Sequence, residues 1–235
     1  MQVGLKRYKQ RLFPERKYRA PRLWSNEVLR RIAPFFTGSI VNVSGWKDSD
    51  KDGGRYQDYF ENVSTYSLTN FPGARGHEDS KDGIELDLEK ELPDYLRNNF
   101  DVVFNHTTLE HLFNIELAFR NLCSMSKDIV IVVVPFLQEM HIYEDSYKDY
   151  WRFTPYALKE LFKKNGMELI FCEGGIRPRA SVYLVAVGSK KAEQWREKLL
   201  TQNGAFRLLG DKAIPSHGGL YTFFKTILEI LRGIF

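Results

Sequence analysis

Two short apolar runs organise the pattern of hydrophobic and polar positions. Residues 100–105 (FDVVFN) and 129–134 (IVIVVV) are rich in Val and Ile and carry almost no polar alternation. That pattern predicts strands buried on both faces. Between them Leu109, Leu112, Phe113, Leu117 and Leu122 recur at helical spacing, with Glu110, Glu116 and Arg120 on other faces. Strand, helix and strand of this length make a βαβ unit, and hence a parallel sheet. Ligands of such sheets sit beyond the carboxyl ends of the strands, so residues 105–108 and 135–141 are the expected edges of a site.

The flanks extend the same α/β class. Val28, Leu29, Ile32, Phe35 and Phe36 form an apolar stripe that predicts a helix from Asn26 to about Phe36, capped by Ser25 and ended by Gly38. Residues 39–44 (SIVNVS), 64–68 (STYSL) and 83–88 read as the first three strands. Residues 56–60 read as a helix start or turn between the first two. Thr154-Pro155 predicts a helix start, a cap followed by proline at the first helical position, with the helix running to about Asn165 and closed by Gly166. Residues 168–172 and 181–187 read as the last two strands, and 190–200 as a charged helix. The expected organisation is a basic arm and helix (1–36), an α/β domain (37–190) and a helical extension (191–235). In that extension residues 218–235 are strongly apolar, with Lys225, Glu229 and Arg232 on a narrow face. Packing on the domain or in a homodimer is one reading of this segment. A membrane-surface helix is the other.

Composition narrows the picture. Hydrophobic residues make up 43% and aromatic residues 14% of the 235 positions, which supports a folded core over disorder. No uninterrupted apolar stretch approaches the ~18 residues of a membrane span, and the charged N-terminus shows no signal-peptide core. The cysteines, Cys123 and Cys172, each sit in an apolar setting and read as buried free thiols, which fits a reducing cytoplasm, with peripheral membrane contact as a further expectation. Residues 1–31 carry ten Lys/Arg against Glu15 and Glu27, while the whole chain is only +4. This segment reads either as a site for phosphates or anionic lipid or as a solvated arm. No nucleic-acid-binding motif accompanies it, so nucleic acid is not an expected partner.

An aspartate opening a hydrophobic strand (Asp101), a Leu-Glu-His just inside the following helix (Leu109–His111) and a strand ending in Val-Pro (Val134-Pro135) resemble class I S-adenosylmethionine (SAM)-dependent methyltransferases. The string DYWRFTP (residues 149–155) resembles a bacterial subset associated with surface-glycan biosynthesis. The resemblance spans roughly residues 39–188. It implies a Rossmann-like, mostly parallel sheet with helices on both faces, with SAM as cofactor. The implied reaction is methylation of an oxygen, less often a nitrogen, on a sugar or nucleotide-sugar acceptor. It also implies that SAM lies over Ser44, Gly45, Thr69, Asn70, Asp87 and Asn105, where Asp87-Leu88-Glu89 followed by Leu92-Pro93 resembles the family's Asp-x-x-x-Leu-Pro pattern with one residue more between.

The residues of the cofactor half depart from that family. A SAM loop wants bare backbone after the first strand, and this chain has Ser44-Gly45-Trp46 and then a polar insertion, residues 47–56. Two readings stay open: a divergent cofactor loop in which Gly53-Gly54 take part, or a loop that has lost the cofactor. The ribose position, usually Asp or Glu, falls on Thr69-Asn70, which lack the charge-assisted pair a carboxylate offers. The absence of G-x-G-x-x-G after the first strand weakens an NAD(P) reading.

For chemistry, methyl transfer needs alignment and a place for the acceptor's proton. His141 and His106, on the loops after the fifth and fourth strands, are the candidate bases, because imidazole titrates near neutrality. The corresponding loop of the resembling proteins carries a histidine at the place of His141. Asp149, Tyr150 and Arg152 are the candidate acceptor contacts, an aromatic and charged mix suited to stacking on a sugar and gripping its hydroxyls or a phosphate. Trp151 and Phe153 are alternatively core anchors. Glu110-His111 resembles part of a metal-binding set in methyltransferases of ubiquinone biosynthesis, but the third position is Thr107, so no metal is expected. The second functional reading is a non-catalytic relative that keeps the sheet and serves as a binding or scaffold protein.

Overall fold

The computed structural model describes residues 20–72, 83–138, 140, 147–175 and 181–200. Its framework is a seven-stranded sheet in the order β3-β2-β1-β4-β5-β7-β6. The strands are β1 (Gly38–Val43), β2 (Val63–Asn70), β3 (Ile84–Glu85), β4 (Phe100–His106), β5 (Ser126–Pro135), β6 (Glu168–Gly174) and β7 (Tyr183–Ser189). The pairs from β3 across to β5 are parallel, and β7 runs antiparallel between β5 and β6. The helices are α1 (Ala20–Ile32), α2 (Ile115–Met125), α3 (Pro155–Lys164) and α4 (Glu193–Leu200). The Rossmann-like reading of the sequence is therefore met. Among the described residues no helix is long and apolar enough to cross a membrane.

Period-two alternation explains the two apolar layers. Ile40, Val102, Phe104, Ile131 and Val133 point to one face, where Val28, Leu29 and Ile32 of α1 and Phe36 cover them. Val41, Val43, Val103, Val130, Val132 and Val134 point to the other, against Phe119 and Leu122 of α2 and Leu158 and Phe162 of α3. Both Cys123 and Cys172 are buried free thiols, each pushed up to about 12 by burial.

Local chemistry set some boundaries differently from the sequence expectation. Helix α1 starts six residues earlier than Asn26, with Pro21 in its first turn, where a missing N–H is tolerated. Ser25 is thus inside the helix, and its hydroxyl donates back to the Arg22 carbonyl (2.9 Å) instead of capping. The expected helix after β4 splits in two. Leu109–His111 is a single 3-10 turn, and α2 begins only at Ile115, where the Asn114 side chain accepts from Leu117 N–H (3.3 Å). The α3 start is as read: Thr154 Oγ1 accepts from Ala157 N–H (3.1 Å), with Pro155 first in the helix.

Candidate functional site

Strand β1 is flanked by β2 on one side and β4 on the other, so the chain order reverses there. The register aligns the carboxyl ends: Val43 lies opposite both Thr69 and Asn105, and His106 opposite Val133. This is the crevice in which open α/β sheets hold ligands.

The turn leaving β1 has a backbone that its sequence hides. Ser44, Trp46 and Asp48 adopt φ of +58°, +49° and +56°. Alternate left-handed residues are conformations that glycines normally supply. Here a serine, a tryptophan and an aspartate hold them, and hydrogen bonds over-determine the strain. Ser44 N–H donates to Thr69 Oγ1 (3.2 Å), Gly45 N–H to the Thr69 carbonyl (3.1 Å) and Trp46 N–H to Asn70 Oδ1 (2.7 Å). Gly45 is required by packing, since a Cβ there would lie 2.7 Å from Asn42 Nδ2 and 2.9 Å from Leu68 Cδ2.

The polar insertion is a buried hydrogen-bond knot. Asp48 receives Asn42 Nδ2 (2.8 Å), the Tyr66 hydroxyl (2.7 Å) and Gln57 N–H (2.9 Å). Asp50 receives the Tyr59 hydroxyl (2.7 Å), the N–H groups of Asp52 (2.7 Å) and Gly54 (2.9 Å), and Arg30 (3.2 Å). Burial alone would raise the Asp50 carboxyl. Its hydrogen bonds and the Arg30 charge outweigh that and hold it below its ordinary value. Asp50→Ala strands these donors and is expected to cost about 2–4 kcal/mol in urea unfolding at neutral pH. The Asp50 contribution is present above the ordinary carboxylate range and lost as pH falls through the lowered folded value, so the wild-type and variant curves should converge in acid.

The expected cofactor residues all lie at this edge, but in different states. Thr69 and Asn70 are occupied in bracing the turn; Asn70 Nδ2 also donates to the Trp46 carbonyl (3.4 Å). Asp87 accepts from Glu89 N–H (2.9 Å) and lies 3.4 Å from Lys90 Nζ. Ser44 Oγ makes no hydrogen bond among the described residues. Asn105 donates to the Val43 carbonyl (2.8 Å), and its fully buried Oδ1 has no partner. A turn in glycine-loop conformation beside an unused hydroxyl and an unused amide oxygen fits a ligand lying along β1 and β4.

The second half of the site centres on His106. The ring is buried between Tyr56 (centroids 5.2 Å), Phe104 and Tyr183. Arg22 Nη1 lies 2.5 Å from its Nδ1 and 2.9 Å from its Nε2, and Ser25 Oγ is 3.2 Å from Nε2. Burial, then the charges of Arg22 and Lys51, hold the imidazole well below its ordinary value, so it is neutral at neutral pH. Arg22 also donates to the Tyr56 hydroxyl (3.1 Å) and Thr107 Oγ1 (3.1 Å).

Glu110 is also buried in this half of the site. Its side chain is 1% exposed, and neither carboxyl oxygen has a hydrogen-bond partner. Burial pushes the carboxyl up to about 8, opposed by its own backbone N–H, aided by Asp149 and opposed again by Arg22 and Arg152. Its carbonyl accepts the N–H groups of Tyr150 (2.7 Å) and Trp151 (3.3 Å), which docks the 149–155 string over it. His111 faces a different partner, its Nδ1 2.7 Å from the Lys148 carbonyl.

Within that string the roles divide. Phe153 is core, and Trp151 donates its indole N–H to the Leu112 carbonyl (2.8 Å). Arg152 grips Asp149 with two 2.6 Å bonds and donates Nε–H to the Gln138 carbonyl (2.8 Å). The pair therefore ties the string to the loop after β5. Tyr150 is 45% exposed and meets the still more exposed Phe113 (68%) at 5.3 Å between centroids. His141 lies outside the described residues. Sequence reasoning passed over Arg22, one cation of ten in a basic segment, and gave Glu110 no catalytic part. No local pattern marks either, because their environment is built by residues far away in the chain.

No family model matches the sequence, and no curated protein is similar to it at the sequence level. Solved structures do share the architecture. One is a chain of the complex between the Haloferax volcanii Trm112 methyltransferase activator and a methyltransferase (11% identity, 74% of this chain and 92% of that one, TM-score 0.53). Another is an S-adenosylmethionine-dependent methyltransferase from Mesorhizobium loti (13% identity, 69% and 96%, TM-score 0.50). The fold is a methyltransferase fold. The methyltransferase domain of a citrinin polyketide synthase is also similar (12% identity, 64% of this chain, TM-score 0.51), and there the match spans 46% of the other chain. At these identities the methyltransferase fold is what the likeness establishes, and fold alone does not fix chemistry.

Proposed function

We propose that the chain is a SAM-dependent methyltransferase that methylates an oxygen of a sugar or sugar-phosphate intermediate in surface-glycan biosynthesis. The observation that carries the reading is the turn after β1. Three non-glycine residues hold left-handed backbone at the switch point of the sheet, braced by Thr69 and Asn70 at the edge where open α/β sheets take their ligands. Ser44, Gly45, Asp87 and Asn105 would hold the cofactor, which supplies a methyl group activated on sulfur. Thr69 and Asn70 act by bracing the turn.

The chain's own residues then bind the acceptor, exclude water and accept a proton. Tyr150 and Phe113 offer aromatic faces for a sugar ring, and the Asp149–Arg152 pair holds their loop in place. His106, which burial keeps neutral near pH 7, is the proton acceptor, and His141, in the segment that follows β5 in sequence, is the second. The glycan assignment rests on the likeness of the 149–155 string and on this aromatic pair.

A scaffold that has lost the cofactor is the second reading. Asn70 favours it, because both polar atoms of its amide are spent on Trp46 where a ribose acid would otherwise stand. Calorimetric titration of the purified full chain with SAM and S-adenosylhomocysteine separates the two. Saturable binding, weakened about tenfold or more by Asp87→Ala, is expected for the enzyme. Absence of binding to the wild type would give the scaffold reading the lead.

A further inference from the structure

We propose that the carboxyl edge of β4 carries an anion site centred on the Arg22 guanidinium, and that the acceptor presents a phosphate or carboxylate group to it. This rests on the acceptor-binding reading above and narrows the acceptor to an anionic compound. Among the described residues, Arg30, Arg31, Arg55, Arg97, Arg120, Arg152 and Arg196 each have a carboxylate within ion-pair distance. Arg22 has none.

Its partners are instead uncharged: the Tyr56 hydroxyl, the His106 ring, Thr107 Oγ1 and the face of the Tyr183 ring, 5.9 Å from the guanidinium carbon. These contacts take up Nη1 and one side of Nη2. Nε makes no hydrogen bond among the described residues. A partly buried cation pinned by neutral groups, with donors left over, lacks its counter-charge. Glu110 does not supply it, since its two oxygens have no hydrogen-bond partner and its carboxyl is protonated at neutral pH. The planar fork of the guanidinium suits the paired oxygens of a phosphate or a carboxylate. Lying beside His106, an anion held there would present the rest of the acceptor to the proton-accepting groups.

The test is an NMR titration of the full chain, following the assigned Arg22 Nε–H resonance. Inorganic phosphate and acetate are added separately at constant ionic strength. A saturable shift with phosphate alone assigns the site to a phosphoryl group, and an equal or larger shift with acetate assigns it to a carboxylate; either supports the site. Arg22→Lys, which keeps the charge but loses the fork, is expected to weaken binding by about tenfold. No shift at Arg22 with either anion, or shifts confined to surface lysines, overturns the proposal on the wild type alone, whatever the variant's folding. The titration uses no cofactor. Its failure leaves methyl transfer standing, and failure of SAM to bind leaves the anion site standing.

Discussion

Glu110→Gln is expected to stabilise the protein in mild alkali by up to about 4 kcal/mol and to flatten its stability between the ordinary glutamate range and about pH 8. The carboxyl titrates at about 8 in the fold, above its ordinary 4.5, because burial removes water and no hydrogen bond replaces it. The folded state therefore holds this proton more tightly than the unfolded chain. The associated stability is fully present below the ordinary glutamate range, falls as pH rises toward 8, and is gone beyond it. Glutamine copies the shape of the neutral acid and cannot ionise, so the variant escapes the loss. His106 contributes a slope of opposite sign below its ordinary 6.5, where the unfolded chain takes up a proton more readily, and this is common to both proteins. Urea unfolding across the pH range should give curves that coincide below the ordinary glutamate value of 4.5, diverge progressively from there to about 8, and run parallel beyond it. Curves parallel throughout would show that Glu110 is not buried as an isolated acid.

Gly188→Ala is expected to cost about 3 kcal/mol, and a second change, Phe162→Leu, should recover part of that loss. Gly188 lies in β7 directly beneath α3. A Cβ there would stand 2.3 Å from both Phe162 Cδ1 and Cε1 and 2.9 Å from Cγ, well inside contact distance. Phe162 has nowhere to retreat. It is fully buried and packs edge-on against Phe119, with centroids 4.9 Å apart at 73°. The strain is relieved only by moving α3 off the sheet. Leucine at 162 is shorter than the ring and leaves room for the methyl group, although it opens a small void in the wild-type background. In equilibrium unfolding of the four proteins of this cycle, the double variant should be more stable than Gly188→Ala alone. Additive losses would mean that the two positions do not share this contact.

The elements of the fold were legible where the information is local. Apolar runs at residues 100–105 and 129–134, the helical stripe under α3 and the Thr154-Pro155 start each depend on neighbours within a few positions. Backbone sterics and hydrophobic spacing act at that range. Local signals misled where a second local device competed, as when Pro21 started α1 ahead of Ser25. They also could not foresee that the segment after Leu109 would break before Asn114.

The sequence by itself determined a parallel α/β sheet, the edge at which a ligand would lie, and the presence of a histidine at the carboxyl end of β4. Tertiary structure alone decided what surrounds that edge. It brought Arg22 onto His106 across 84 positions, tied Asp149 to Arg152 and so took both into the frame, and left Glu110 dry beneath them. It also gave Ser44, Trp46 and Asp48 a backbone that their identities argue against. The physical reason is one of range. Periodicity records which face of an element is buried, whereas charge, protonation and strain depend on which distant groups share that burial, and only the folded chain brings them together.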